Sequence, residues 1–180
     1  MLISSTKLEG VLVVQPTVFK DARGYFFESY NKNVFFNNGI TTEFLQDNES
    51  LSQKGVLRGL HFQNPPHAQA KLVRVIQGAV LDVAVDIRKK SPTYGKYYSI
   101  KLSAENKTML YIPEGFAHGF LVLEDNTIFS YKCSRTYNKE SESGILWCDT
   151  DIAIDWGIKT PILSEKDRVA QHFKIFESRF

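Results

Sequence analysis

Cysteine is scarce in this chain of 180 residues. Cys133 and Cys148 are the only two, they show no C-x-x-C spacing, and a pair of thiols in a chain this long makes no disulfide framework. Both read as reduced and inert. Histidine is nearly as rare: His61, His67, His118 and His172 form neither H-x-H nor H-E-x-x-H, and a catalytic metal usually takes about three protein ligands, so nothing in the spacing demands a metal. No G-x-G-x-x-G or G-x-x-x-x-G-K-S/T stands between a strand and a helix, which removes the dinucleotide fingerprint and the phosphate loop. The expectation is a protein with no metal and no organic cofactor. An excess of one charge is missing too. Lys plus Arg is 22 and Asp plus Glu is 20, and a net charge of +2 provides no field for nucleic acid or an anionic membrane, although a few clustered arginines suffice for a small anion. No run reaches the roughly 18 apolar residues of a membrane span, and Lys7 and Glu9 precede only a short apolar stretch at the start. A soluble, cytoplasmic protein is expected.

What the chain does have is aromatic and β-branched residues in short runs. Thirteen Phe and eight Tyr suit strands, and the length suits one domain, 1–180, with a sizeable core. Strand-like runs lie at Val11–Val14, Glu43–Gln46, Val56–His61, Lys96–Leu102, Thr108–Ile112, Gly119–Leu123 and Ile128–Ser134, with Gly, Pro, Asp or Asn in the breaks between them. The longest pattern, Lys71 to Arg88, alternates with period two on both sides of a tight turn at Gln77-Gly78. Helical signals stay at the edges: Asn31 to Phe36 can make a turn or two, and Ser164 is placed to cap a helix with Asp167 at its third position. The pattern predicts an all-β sandwich or barrel with short peripheral helices.

Several polar residues fall where a β core wants apolar ones. His61 ends Val56-Leu-Arg-Gly-Leu-His61, and on regular pleating it points away from Arg58, so a common pocket requires a bulge or twist near Gly59. The alternative is a hydrogen-bonded structural histidine. Asp82 and Asp86 share parity and read either as a solvated face opposite lysines or as interior charges, which then need partners. Lys71, at the mouth of its strand, is the best cationic candidate. His118 reads as a pocket residue or a turn cap after Pro113-Glu-Gly115, and Tyr131 as a core or rim tyrosine whose hydroxyl needs a partner if buried.

Seven stretches occur together in one order: Phe19–Glu28, Gln46–Asn48, Gly55–Gln63, Gln69–Val75, Ser91–Gly95, Ile112–Phe120 and Leu163–Asp167. With them the chain resembles the dTDP-4-dehydrorhamnose 3,5-epimerases, enzymes of the cupin-like jelly-roll class. The resemblance implies His61 as catalytic base, Asp167 as the carboxylate that orients it, and Tyr131 as the acid on the opposite face of the sugar. It implies substrate contacts from Arg58, Lys71 and His118, and nucleotide or pyrophosphate contacts from Arg23, Glu28, Gln46, Asn48 and Glu142. It further implies a homodimer in which Arg23 and Glu28 serve the neighbouring subunit's dTDP-linked 4-keto-6-deoxy sugar. The implied reaction inverts C3 and C5 of dTDP-4-dehydro-6-deoxy-D-glucose, on the way to dTDP-L-rhamnose. A single-carbon epimerase and a non-catalytic nucleotide-sugar binding module are the alternatives. Glu49 and Cys148 depart from the family's usual residues, and neither belongs to the implied proton-transfer set.

Overall fold

The computed structural model describes residues 1–180. The chain opens with β1 (Leu2–Ser5) and β2 (Leu12–Gln15), then the small hairpin β3 (Phe19–Asp21) and β4 (Gly24–Phe26) and the helix α1 (Lys32–Asn37). There follow β5 (Gln46–Ser52), β6 (Leu57–Gln63), β7 (Lys71–Gln77), β8 (Ala79–Asp86), β9 (Tyr97–Ser103), β10 (Met109–Ile112), β11 (Phe116–Val122), β12 (Thr127–Cys133) and β13 (Glu142–Gly144). The short helix α2 (Glu165–Arg168) and a 3-10 turn at Phe173–Ile175 close it. Two antiparallel sheets face each other, in the orders β1-β2-β10-β7-β12-β5 and β13-β6-β11-β8-β9. This is the expected all-β, cupin-like jelly roll with short peripheral helices. No helix is long and apolar enough to cross a membrane.

Alternation fills the space between the sheets. Val73, Val75, Leu110, Ile112 and Phe129 from the six-stranded sheet pack against Val80, Ala84, Leu102, Phe116, Phe120 and Val122 from the other. The opposite parity of the five-stranded sheet, including Leu57, Val83, Val85, Ala117 and Leu121, is covered by Ile145, Ile152, Trp156 and Phe176 from the C-terminal third. Both faces of β8 are therefore buried, which is why its sequence is apolar at nearly every position. On the outer face of the six-stranded sheet, Phe35 of α1 packs with Ile40, Val14, Leu72 and Met109.

The strands expected on both sides of the turn at Gln77-Gly78 are present, and two other strand expectations are corrected. The turn at Gly78 (φ +77°) joins β7 to β8, which lie in different sheets, so the period-two pattern spans a crossover between layers. The strand expected at Glu43–Gln46 instead begins at Gln46 and runs through the polar segment to Ser52, paired along its length with β12. The expected start of β11 at Gly119 moves back to Phe116, which places His118 inside the strand and removes its reading as a turn cap.

The bulge that a common pocket for Arg58 and His61 requires near Gly59 is present. Between β6 and β11, His61 stands opposite His118 and Arg58 opposite Phe120, so three steps on β6 match two on β11. Before the bulge Leu57 faces outward and Arg58 inward; after it Leu60 and Phe62 face outward and His61 inward. Gly59 has φ +133°, and a Cβ there would lie 2.5 Å from the Gly119 Cα and 2.9 Å from the His118 carbonyl oxygen. The obstructing atoms are backbone and cannot swing aside. Gly59→Ala is therefore expected to lower stability by about 2–4 kcal/mol, read as a drop in the urea midpoint, while a wild-type midpoint for this variant would show that the strands do not need their close approach.

Candidate functional site

The bulge gives β6 two inward polar side chains, and the facing strands supply the rest. A cleft of about 430 Å³ opens between the sheets, lined by Arg58, His61, Lys71, His118, Tyr131 and Asp167 among others. His61 and His118 come from the five-stranded sheet, Lys71 and Tyr131 from the six-stranded one, so the cleft has two chemically distinct walls.

Asp167 arrives from 106 positions downstream of His61. The segment before α2 runs beside β6, where Leu57 N donates to the Ile162 carbonyl at 3.0 Å, and this delivers the helix to the cleft. Ser164 caps α2 as the sequence predicts, accepting from Asp167 N at 3.2 Å and donating its hydroxyl to Asp167 Oδ2 at 2.8 Å. The other carboxylate oxygen, Oδ1, lies 2.5 Å from His61 Nε2. Burial pushes the Asp167 pKa up, but the hydrogen bond and charge of His61, the Ser164 hydroxyl and the Lys166 charge together bring it below the ordinary carboxylate value. An ionised carboxylate only accepts, so Nε2 carries the hydrogen, and in the neutral imidazole this leaves the lone pair on Nδ1.

The two interior aspartates of β8 are also partnered. Asp82 is fully buried and meets His118 Nε2 at 3.0 Å. Asp86, equally buried, accepts from Arg88, Ser91 and Thr93. The reading of these two aspartates as a solvated face is overturned: their parity faces the sheet interior. Burial lowers the His118 pKa in spite of Asp82, and the Lys71 charge adds to the lowering, which keeps the imidazole neutral at pH 7. Burial likewise lowers the Lys71 pKa and raises that of Tyr131, so the phenol holds its proton at neutral pH. The guanidinium of Arg58 donates to Ser52 Oγ at 3.1 Å.

A second hollow joins the first through His61, Lys71 and Tyr131 and adds Gln46, Asn48, Tyr137 and Glu142. Gln46 Nε2 donates to Asn48 Oδ1 at 2.9 Å, Asn48 to the Cys133 sulfur at 3.6 Å, and Lys166 holds Glu142 at 2.5 Å. No group of three His, Cys, Asp or Glu side chains is placed to hold a metal ion.

Residues 5–174 match the family model described as dTDP-4-dehydrorhamnose 3,5-epimerase. The chain belongs to this family. It is 55% identical over 174 residues to the dTDP-4-dehydrorhamnose 3,5-epimerase of Shigella flexneri, covering 96% of each chain. The crystal structure of the Elizabethkingia anophelis enzyme of that name superposes with a TM-score of 0.92 at 52% identity, covering 97% of both chains. The Legionella pneumophila dTDP-6-deoxy-D-glucose-3,5-epimerase, solved with dTDP-4-keto-L-rhamnose, superposes at 0.94 with 45% identity, covering 98% of this chain and 94% of that one.

Within this epimerase fold, nine of the eleven residues singled out from sequence line the two joined hollows, and two do not. Arg23 sits on the β3–β4 hairpin with its side chain 90% exposed, tied to Asp21 of its own turn, and Glu28 accepts from Asn31. The hairpin pairs only with itself, and neither Arg23 on it nor Glu28 just after it lines either hollow. Lys166 and Tyr137 were not singled out, although Lys166 lies inside the Leu163–Asp167 stretch. Glu49 is exposed on the opposite parity to Asn48, and Cys148 is also exposed, so neither departure touches the cleft.

The depressed Asp167 pKa carries a sign. Well above pH 4 the carboxylate is ionised in both states and its native partners contribute fully. As pH falls through the unfolded value of about 3.9 and then the lower folded one, the unfolded chain binds more protons and that contribution is lost. Unfolding free energy measured from pH 6 to pH 2 should therefore decline less steeply in Asp167→Asn than in wild type; parallel curves would exclude the pairing as a source of stability.

Proposed function

We propose that this chain inverts C3 and C5 of dTDP-4-dehydro-6-deoxy-D-glucose, giving dTDP-4-dehydro-L-rhamnose for dTDP-L-rhamnose synthesis, with residues 1–180 acting as one domain. The observation that carries this reading is the placement of a carboxylate-paired histidine and a protonated tyrosine on opposite walls of one cleft. The C4 ketone acidifies the hydrogens at C3 and C5, since loss of either gives an enolate. His61 removes the proton through Nδ1, and Asp167 stabilises the imidazolium that results. Arg58 and Lys71 direct N–H donors at the C4 oxygen as it gains charge. Tyr131 returns a proton from the other face, and the carbon is inverted. The protonated His61 and the deprotonated Tyr131 then exchange with solvent before the second carbon reacts. His118, held by Asp82, lines the sugar end. Gln46, Asn48 and Glu142 contact the nucleotide end.

The cleft of one chain lacks Arg23 and Glu28, and a second copy is proposed to supply them. Phe19, Tyr25 and Phe26 on the same hairpin are more than half exposed, an unusual cost for a surface that meets only water. Arginine suits a phosphate because its planar fork can donate two hydrogen bonds. The proposed location is the cytoplasm, which agrees with two unpaired thiols.

Incubation with the substrate in deuterated water separates the roles. His61→Ala should lose exchange and inversion together, by about 10²–10⁴-fold. Tyr131→Phe should keep exchange at the first carbon while inversion falls by a comparable factor, because His61 can still return a solvent proton to its own face. A folded Tyr131→Phe protein that inverts both carbons at the wild-type rate would refute the acid assignment. Sharing of Arg23 is tested by mixing subunits of Arg23→Ala and His61→Ala, each impaired alone. If Arg23 serves the neighbour, each mixed dimer regains one complete site and the mixture recovers up to about a quarter of full activity. No recovery would place Arg23 in its own subunit's site or in none.

A further inference from the structure

One buried side-chain polar atom in the whole molecule has no hydrogen-bond partner, and it borders the cleft. It is Ser50 Oγ, on the inward parity of β5 between Asn48 and Ser52. Those two neighbours are both engaged, Asn48 with Gln46 and Cys133 and Ser52 with Arg58. A serine hydroxyl shut off from solvent ordinarily finds a carbonyl or carboxylate, and one that does not is costly to keep. Ser50 stands opposite Phe129 in the strand register, and a phenyl side chain offers no carbonyl or carboxylate. Alanine would fill the same space without that cost, so packing does not explain the hydroxyl.

We infer that Ser50 is a specificity-determining residue whose hydroxyl hydrogen-bonds an oxygen of the pyranose in the nucleotide-linked 4-keto sugar. The inference rests on the reaction proposed above. Two observations assign Ser50 to the sugar and not to the nucleotide. It lines the hollow that contains Arg58, His118 and Asp167, and it is absent from the adjoining one that contains Gln46, Asn48, Tyr137 and Glu142. It also stands on the Tyr131 wall, because β5 and β12 are adjacent strands with Asn48 opposite Tyr131 and Ser50 one inward position further along. A hydroxyl there meets the face of the sugar turned away from His61. The residue as a whole is half-buried and lines the cleft, and the inference requires a χ1 rotamer that turns the shielded hydroxyl toward a sugar oxygen. The unpaired state in the empty cleft and the paired state in the filled one then favour a ligand that brings the right oxygen. A site built around such a group discriminates against analogues lacking it.

The test is Ser50→Ala, compared with wild type in three measurements: kcat/KM on dTDP-4-dehydro-6-deoxy-D-glucose, the inhibition constant of dTDP alone, and the urea midpoint without ligand. The expected pattern is a fall of roughly 3- to 15-fold in kcat/KM, an unchanged dTDP constant, and a midpoint equal to or above wild type. That last result is one a structural hydroxyl would not give. A lowered midpoint with unchanged kinetics would make Ser50 structural, and equal loss of dTDP affinity would move its contact to the nucleotide. An unchanged kcat/KM would mean that water alone serves the hydroxyl. Each of these overturns the inference while leaving the proposed reaction standing. Failure of the wild-type protein to turn over the sugar would overturn both.

Discussion

The site depends on two glycines that let β6 and β11 touch. At Gly59 and Gly119 the backbones approach so closely that a Cβ on either would meet the opposite strand's main chain at 3.1 Å or less. That contact accommodates the extra residue of β6, and the extra residue turns His61 onto the same side as Arg58. Without it the period of two would send one of them into the outer layer with Leu57 and Leu60, among Trp156 and Phe176. A polar pocket in an otherwise apolar sandwich is thus obtained by shifting the pleat once, with no change to the general hydrophobic pattern of either sheet.

The interior charges follow from the same geometry. Asp82 and Lys71 occupy inward positions, where an isolated charge would be expelled or neutralised. The structure answers with a partner for Asp82 in His118, while Asp86 is surrounded by donors from Arg88, Ser91 and Thr93. Burial then shifts neighbouring groups in different directions. It disfavours the charged forms of Lys71 and His118, lowering both, and it keeps the Tyr131 phenol protonated. Asp167 escapes that trend because its hydrogen-bond and charge partners outweigh its burial. One carboxylate held ionised beside a histidine, facing a phenol held neutral, is an arrangement that can take a proton on one side of a small cleft and give one on the other.

The sheet architecture was legible because it rests on local alternation. Period two in Lys71 to Arg88, the turn residues at Gly78 and Pro113, and the Ser164 cap each depend on neighbours within a few positions. What the sequence left open or misplaced lies where the local signal is weak or fits two tertiary outcomes. A tight turn between alternating runs can close a hairpin or cross between layers, and only the packing of both faces of β8 decides for the crossover. The polar strand Gln46–Ser52 was displaced because an edge strand needs just one paired side and one buried parity, which leaves a weak hydrophobic signature.

By itself the sequence determined the layer type, the approximate strand positions, the capped turn before Asp167 and, through seven ordered stretches, the family. It also pointed to Gly59 as the place where the pleat must break if Arg58 and His61 were to meet. Only the tertiary structure decided that they do, that Asp82 lies inside against His118, that Ser50 has no partner, and that Arg23 and Glu28 stay away from their own cleft. The physical reason is separation along the chain. His61 and Asp167 are 106 positions apart, and His118 and Asp82 are 36 apart. No local propensity carries information over such distances; the pairs are set by which sheet each strand joins and which way its side chains then point.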